Sequence, residues 1–172
     1  EPVSGMARER LNVDSNYPLN DRHIITSGGS GFGIMAIIAG IERNYVTRAE
    51  GFARMEKIVS FLERADKFHG AFPHWWDGET GKIKPFSPKD DGGDLVETAF
   101  LVQGLLTAHQ YYANGNKEER ELAARMDKLW RDVDWNWYRN KENVLFWHWS
   151  PEHQWDMNLS LIHISEPTRL RR

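Results

Sequence analysis

The sequence predicts an all-α protein whose helices lie in two layers, an inner set covered by an outer one, as in an α/α toroid. Two observations carry this. Segments of helical length alternate between apolar on every side and apolar on one side only. Long connections rich in Gly, Pro and aromatic residues follow the one-sided segments, which gathers them at one end of the ring. An up-and-down four-helix bundle would make all four helices one-sided alike.

Residues 1–27 carry few apolar residues and little periodicity, with Asn16-Tyr17-Pro18-Leu19-Asn20-Asp21 as a turn cluster, and read as a loop-rich lead-in. Gly28-Gly29-Ser30-Gly31 then punctuates the chain before Phe32–Ile41, which is apolar all round and predicts a buried inner helix. The glycines are expected to admit the chain to that helix with its N-terminus open toward a cleft. They do not make a phosphate loop, since the Gly-x-Gly-x-x-Gly spacing, a Gly-Lys-Ser/Thr ending and a βαβ setting are all missing. Thr47-Arg48-Ala49-Glu50 is a capping-box signature, in which hydroxyl and carboxylate each accept a backbone N–H left free by the first turn. Phe52, Met55, Val59 and Leu62 follow at helical spacing among charged residues, predicting an outer helix.

Residues 67–93 form a long connection whose Phe68, Phe72, Trp75, Trp76 and Phe86 argue against disorder. Asp94–Tyr112 is again apolar on several sides and predicts the second inner helix. Asn114-Gly115-Asn116 is a stop and turn signal, and Lys117–Val133 predicts the second outer helix, with Leu122, Met126, Leu129, Trp130 and Val133 facing inward. Val144–Pro151 reads as a short strand or extended loop.

Of the 172 residues, 22 are Lys or Arg and 25 Asp or Glu, a net charge of −3. Nothing in that balance favours nucleic acid or an anionic membrane as partner. With no cysteine, disulfides, zinc–thiolate sites and cysteine nucleophiles are excluded. No apolar run approaches the ~20 residues of a membrane helix. The first residue is Glu1, which suits either a removed leader or a truncated start. The oligomeric state is not legible. Leu159-Ser160-Leu161-Ile162-His163-Ile164-Ser165-Glu166-Pro167-Thr168-Arg169 resembles the translation of a transposase mosaic end running into a sequencing adapter. Residues 1–158 are therefore expected to be native and 159–172 a foreign tail, so that His163 and Glu166 receive no chemical role. The alternation Leu-Ser-Leu-Ile-His-Ile also suits a C-terminal strand.

The compositional anomaly is eight Trp, all between Trp75 and Trp155, in company with Asp and His. The candidate catalytic residues are Asp94, Glu97 and Asp90, at i, i+4 and i+7 counted from Asp90. If a helix starts near Asp91, Asp94 and Glu97 share a face in its first turns. Negative charge is stabilised there, which suits a base, a water-orienting group or a hydroxyl acceptor better than a proton donor. Plain helix capping is the alternative. The candidate substrate-binding residues are His74, Trp75, Trp76, Phe86, Trp147, His148 and Trp149, since indole faces stack on pyranose rings while His and Asp bond hydroxyls. Core packing with paired indole N–H groups is the competing explanation. Trp75 and Trp76 are adjacent and cannot easily face one core, so at least one should line a cleft or surface. His69 with His74, or His148 with His153, lack both helical i, i+4 spacing and an evident carboxylate third ligand, so neither a metal nor another cofactor is expected.

Longer motifs sharpen this. Thr26–Gly33, His69-Gly70-Ala71-Phe72-Pro73-His74-Trp75, Phe86–Ala99 and Trp147-His148-Trp149-Ser150-Pro151 resemble the bacterial glucoamylase-like family, which includes the endo-β-1,2-glucanases. The resemblance covers nearly all of residues 5–158. It implies an (α/α)6 toroid, of which this chain would supply roughly the first four of twelve helices, and a periplasmic or secreted setting. It also implies hydrolysis of a β-linked glucan, with inversion in the glucanases, and an oligo- or polysaccharide as partner. Asp90, Asp94 and Glu97 match the acidic cluster of that family's cleft, with Asp94 expected as the base or water-orienting carboxylate and Asp90 and Glu97 as its hydroxyl-binding or supporting partners. Trp75, Trp76 and His148 match cleft-lining positions. The family's further acids follow the Trp-His-Trp-Ser-Pro segment, so the proton donor is expected to be missing and the chain alone inactive. Two other readings stay open: a non-catalytic glycan-binding toroid, and a polysaccharide lyase.

Overall fold

The computed structural model describes residues 1–13, 22–157 and 159–161. The turn cluster expected at 16–21 and the tail from residue 162 onward, with His163 and Glu166, lie outside the described residues. Among these residues the order is β1 (Ile24–Thr26), α1 (Ser27–Glu42), α2 (Arg48–Arg64), β2 (Trp75–Asp77), β3 (Gly93–Asp94), α3 (Leu95–Tyr112), α4 (Lys117–Arg131), a 3-10 turn (Trp137–Arg139) and β4 (His148–Trp149).

Each helix begins where the N–H groups of its first turn find acceptors. Thr47 and Glu50 close the anticipated capping box on α2. Asn116 and Glu119 close a second one on α4, and Asp94 caps α3 by accepting from the N–H groups of Val96 and Glu97. No side chain of its own N-cap serves α1. Its first N–H groups are satisfied across the fold: Ser27 donates to the carbonyl of His74 at 3.2 Å, and Gly28 donates to Glu97 Oε2 at 2.8 Å. The helix therefore starts at Ser27, ahead of the expected Phe32, and the glycines lie inside its opening turns instead of leading into it.

The packing is the two-layer scheme. α1 makes its most extensive contact with α3, α3 packs on α4, and α4 on α2. The inner pair crosses backbone to backbone. A Cβ placed at Gly31 would stand 2.1 Å from the carbonyl oxygen of Phe100, and one at Gly104 would stand 2.5 Å from that of Gly31. Glycine is the residue that permits this approach. Two ion pairs tie the outer helices, Arg48 to Glu119 at 2.5 Å and Arg125 to Glu63 through two bonds of 2.8 and 2.7 Å. The forked arginine pairing is the stronger kind. The main core runs between the layers and includes Ile34, Met55, Phe61, Phe72, Trp76, Leu101 and Met126. A smaller one gathers Ala71, Leu95, Val133 and Tyr138. This is an incomplete α/α toroid, an arc of two inner and two outer helices.

Two expectations change. α1 is apolar on every side but not buried on every side: Phe32 is 55% exposed, its ring 5.5 Å from that of Phe100 across the inner pair. The lead-in and the 67–93 connection, read as loops, also carry short strands, while β4 is the short strand foreseen within Val144–Pro151. β1 pairs antiparallel with β2, placing Ile24 opposite Asp77 and Thr26 opposite Trp75. β3 pairs with β4, placing Gly93 opposite Trp149 and Asp94 opposite His148. Residues 159–161 run beside 145–147, with Phe146 and Ser160 in an antiparallel bridge.

The crossing gives a direct test. Gly31→Ala should destabilise the chain by about 2 kcal/mol or more, since backbone must shift to admit the methyl group. Gly33→Ala meets only the Ala7 side chain at 3.9 Å, and should be neutral or stabilising by up to ~1 kcal/mol through helix propensity. Urea midpoints of the two variants measure the contrast.

Candidate functional site

The three acidic residues are brought together by pairing of distant segments and not by a shared helix face. α3 begins at Leu95, so Asp94 is its cap, Glu97 sits in its first turn and Asp90 lies outside it. Asp90 closes a tight turn in which its N–H donates to the carbonyl of Ser87 at 3.0 Å and its own carbonyl accepts from Phe86 at 3.0 Å. The β3–β4 pairing brings His148 alongside. The loop carrying His74 is held on α3: the N–H of Asp94 donates to the Phe72 carbonyl at 2.9 Å. Thr98 Oγ1 accepts from the Phe72 N–H at 2.8 Å and donates to the Phe72 carbonyl at 3.2 Å.

The result is a quartet of two carboxylates and two imidazoles, in which Asp90, Asp94 and His148 are buried and His74 is partly exposed. Asp90 Oδ1 lies 3.2 Å from His148 Nε2, and Asp90 Oδ2 lies 3.6 Å from His74 Nδ1. His74 Nδ1 is also 3.4 Å from Asp94 Oδ2, so one ring stands between two acids. Asp90 is 2% and Asp94 1% exposed. Burial disfavours the charged form of His74, but Asp90 and Asp94 outweigh it and raise its pKa from the ordinary 6.5 to about 10. For Asp90, burial works in the opposite direction and is outweighed by His148 and His74, which lower its pKa to about 2. At neutral pH Asp90 is an anion with no proton to give, and His74 is a cation.

Glu97 is placed differently. Its Oε2 accepts the Gly28 N–H at 2.8 Å and the Thr26 hydroxyl at 3.4 Å. A Cβ at residue 28 would stand 2.6 Å from that oxygen, so glycine is what lets the carboxylate reach the start of α1. Glu97 is half-buried, and among the described residues its Oε1 takes no hydrogen bond. Thr26 and Gly28 as partners of Glu97, and Thr98 as anchor of the His74 loop, escape sequence reading. Each lies far along the chain from what it touches, and only the quoted Thr26–Gly33 motif marked the first two.

The aromatic candidates divide. Phe86 stacks on His74 with ring centres 4.3 Å apart and planes at 19°, and Trp75 meets Phe86 edge-on at 4.8 Å. These three form a partly open wall beside the acids. Trp76 does not: it is 0% exposed, edge-on to Phe61 and Phe72, with its indole N–H donated to the Asp66 carbonyl at 3.0 Å. Adjacent residues on β2 point to opposite faces, which sends Trp76 into the core and Trp75 to the wall. By the same alternation His148 faces Asp90 while Trp149 turns away, onto His69 and Trp137. Trp147 is half-buried next to His148, ring centres 6.2 Å apart.

The fold also gives His74 the carboxylate neighbours that its sequence setting lacked. One ligand atom each from His74, Asp90 and Asp94 lie within 4.8 Å of one another, as do those of Asp91, Glu152 and His153. Among the described residues no helix is long and apolar enough to cross a membrane.

No family model matches the chain. It is 54% identical over 170 residues to the exo β-1,2-glucooligosaccharide sophorohydrolase (non-reducing end) of Parabacteroides distasonis, covering 96% of this chain and 22% of that one. It superposes on a crystal structure of a Bacteroides caccae protein assigned as a glucoamylase with a TM-score of 0.91 and 68% identity, over 93% of this chain and 39% of the other. It superposes equally, at 0.91 and 64% identity, on the endo-β-1,2-glucanase of Chitinophaga pinensis in complex with sophorotriose and glucose, over 93% and 38%. The chain is thus homologous to part of these β-1,2-glucanases and glucoamylase-like proteins, spanning between 22% and 39% of their length.

The quartet predicts a pH profile. His74 has a raised pKa when folded, so its contribution to stability is complete below about 6.5 and is lost as pH climbs toward about 10. Asp90 has a lowered pKa, so its contribution is complete above about 3.8 and is lost as pH falls toward about 2. Urea midpoints should decline from about pH 6.5 to 10, and His74→Gln should flatten that upper limb. An unchanged slope in the variant would remove the ion pairs from the account.

Proposed function

We propose that this chain is the N-terminal part of a glycoside hydrolase that cleaves a β-linked glucan, specifically β-1,2-glucan, by inverting acid–base hydrolysis. The observation that carries the reading is Glu97. Alone of the three acids it combines partial exposure with an unengaged oxygen, next to the His74–Trp75–Phe86 wall. The homology to glucan-cleaving enzymes supports the substrate class.

An inverting enzyme places a base and an acid roughly 6.5–9.5 Å apart, with a water between the base and the sugar. Glu97 is assigned as the base that orients this water through Oε1, while Oε2 stays fixed on α1. The sequence pointed first to Asp94. Its Oδ1 is consumed by capping α3 and its Oδ2 faces His74, so Asp94 and Asp90 become positioning residues. They hold His74 as a charged donor for a sugar hydroxyl, with Trp75 and Phe86 as the stacking surface. The proton donor is assigned to the part of the parent protein that this chain does not span. On this reading residues 1–158 are native and 159–172 foreign, and a polymeric glucan places the parent in the periplasm or outside the cell.

In the full-length parent, Glu97→Gln should lower kcat on β-1,2-glucan by about 10³-fold with KM little changed, the loss typical of a removed general base. Turnover retained in that variant would remove Glu97 from the mechanism. Glucan binding without turnover in the wild-type parent would favour a non-catalytic toroid, and unsaturated sugar ends among the products would identify a lyase. The 172-residue chain alone should release no reducing ends, and measurable release would place the donor within it.

A further inference from the structure

The second aromatic connection forms an open cleft of about 680 Å³ that none of the roles above uses. It lies on the other side of the β3–β4 ribbon from the quartet. His148 faces Asp90 on one side, and Trp149 faces Trp137 on the other, ring centres 5.7 Å apart.

Trp137 and Trp155 line this cleft. Trp137 is 39% exposed, yet its ring is fixed. His69 stacks on it at 3.7 Å with planes at 15°, and Trp149 meets it at 84°. The Trp155 ring lies 6.4 Å away, tilted by 33°. The polar rim is also preset. The Arg139 guanidinium is held by Asn136 Oδ1 at 3.2 Å, by Asn143 Oδ1 at 3.1 Å and by the Glu142 carbonyl at 3.0 Å. Two consecutive residues of the rim, Asn140 and Lys141, have φ of 45° and 66°. Left-handed backbone at a lysine is strained, and such strain concentrates where a ligand is held. Neither side chain makes a hydrogen bond among the described residues, which leaves both for a ligand. Rigid indoles ringed by amide and cationic donors suit a chain of pyranose rings: C–H faces on the indoles, hydroxyls on the rim. The net charge of −3 disfavours a nucleic acid on the same stacking surface.

We propose that Trp137 and Trp155 form a second carbohydrate-binding surface, across the ribbon from the cluster of Asp90, Asp94, His74 and His148, that holds a further stretch of a gluco-oligosaccharide. The proposal rests on the reading of the parent as a glucan-acting protein, and its test separates the two. In the full chain, labelled with ¹⁵N at its indoles, the Trp137 and Trp155 signals are assigned by their loss in Trp137→Phe and Trp155→Phe. The chain is then titrated with β-1,2-linked gluco-oligosaccharides, with cello-oligosaccharides as a second arm. Trp137 and Trp155 should shift together on titration, equally in wild type and in Glu97→Gln. Trp137→Ala should weaken this binding about tenfold, read from the Trp155 signal. Shifts in both arms place the surface as a general glucan platform, and shifts in the first alone make it selective for the linkage. Titration that leaves both signals unmoved overturns the proposal, whatever Glu97→Gln does to turnover in the parent.

Discussion

The backbone contact between the inner helices at Gly31 and Gly104 is the constraint from which the rest of the arrangement follows. With no side chain between the axes, the start of α1 comes within reach of the first turn of α3. There a carboxylate of one helix satisfies an N–H of the other. The favourable charge at a helix N-terminus and the close approach that glycine allows are thus used at one point. Moving the helices apart by the width of a methyl group would disconnect Glu97 from Gly28. It would also uncouple the strand β1, which leads into α1, from the loop that carries His74.

How much of this the sequence discloses depends on how local each cause is. The starts of α2 and α4 are legible because Thr47 with Glu50 and Asn116 with Glu119 cap their helices within four residues. The start of α1 is not, because its acceptors are Glu97 and the carbonyl of His74, far along the chain, and glycines lower its intrinsic propensity. The same distinction holds at the site. Asp90, Asp94 and Glu97 are the right residues, but the helical spacing suggested for them is not what unites them: Asp90 sits in a turn and finds His148 from another strand. The adjacency of Trp75 and Trp76 predicted that they would part, while which one entered the core depended on the register of β2 against β1.

The quartet also shows how charge can be stored in an apolar setting. Separating Asp90 from His74 would leave a buried charge without its partner, which is far costlier than losing one of the weak pairings of the surface. Two acids and the imidazolium between them are instead held at ion-pair distances, with α3's own first N–H groups occupying the spare oxygen of Asp94. Phe86 stacks on His74 and so covers one face of that ring.

The Thr98 hydroxyl has a wider consequence. Because it exchanges hydrogen bonds in both directions with the peptide of Phe72, the loop bearing His74 is anchored to α3 itself. The acids at the start of that helix and the imidazole opposite them therefore share one mount. Any displacement of α3 against its neighbours would carry both jaws of this clamp together.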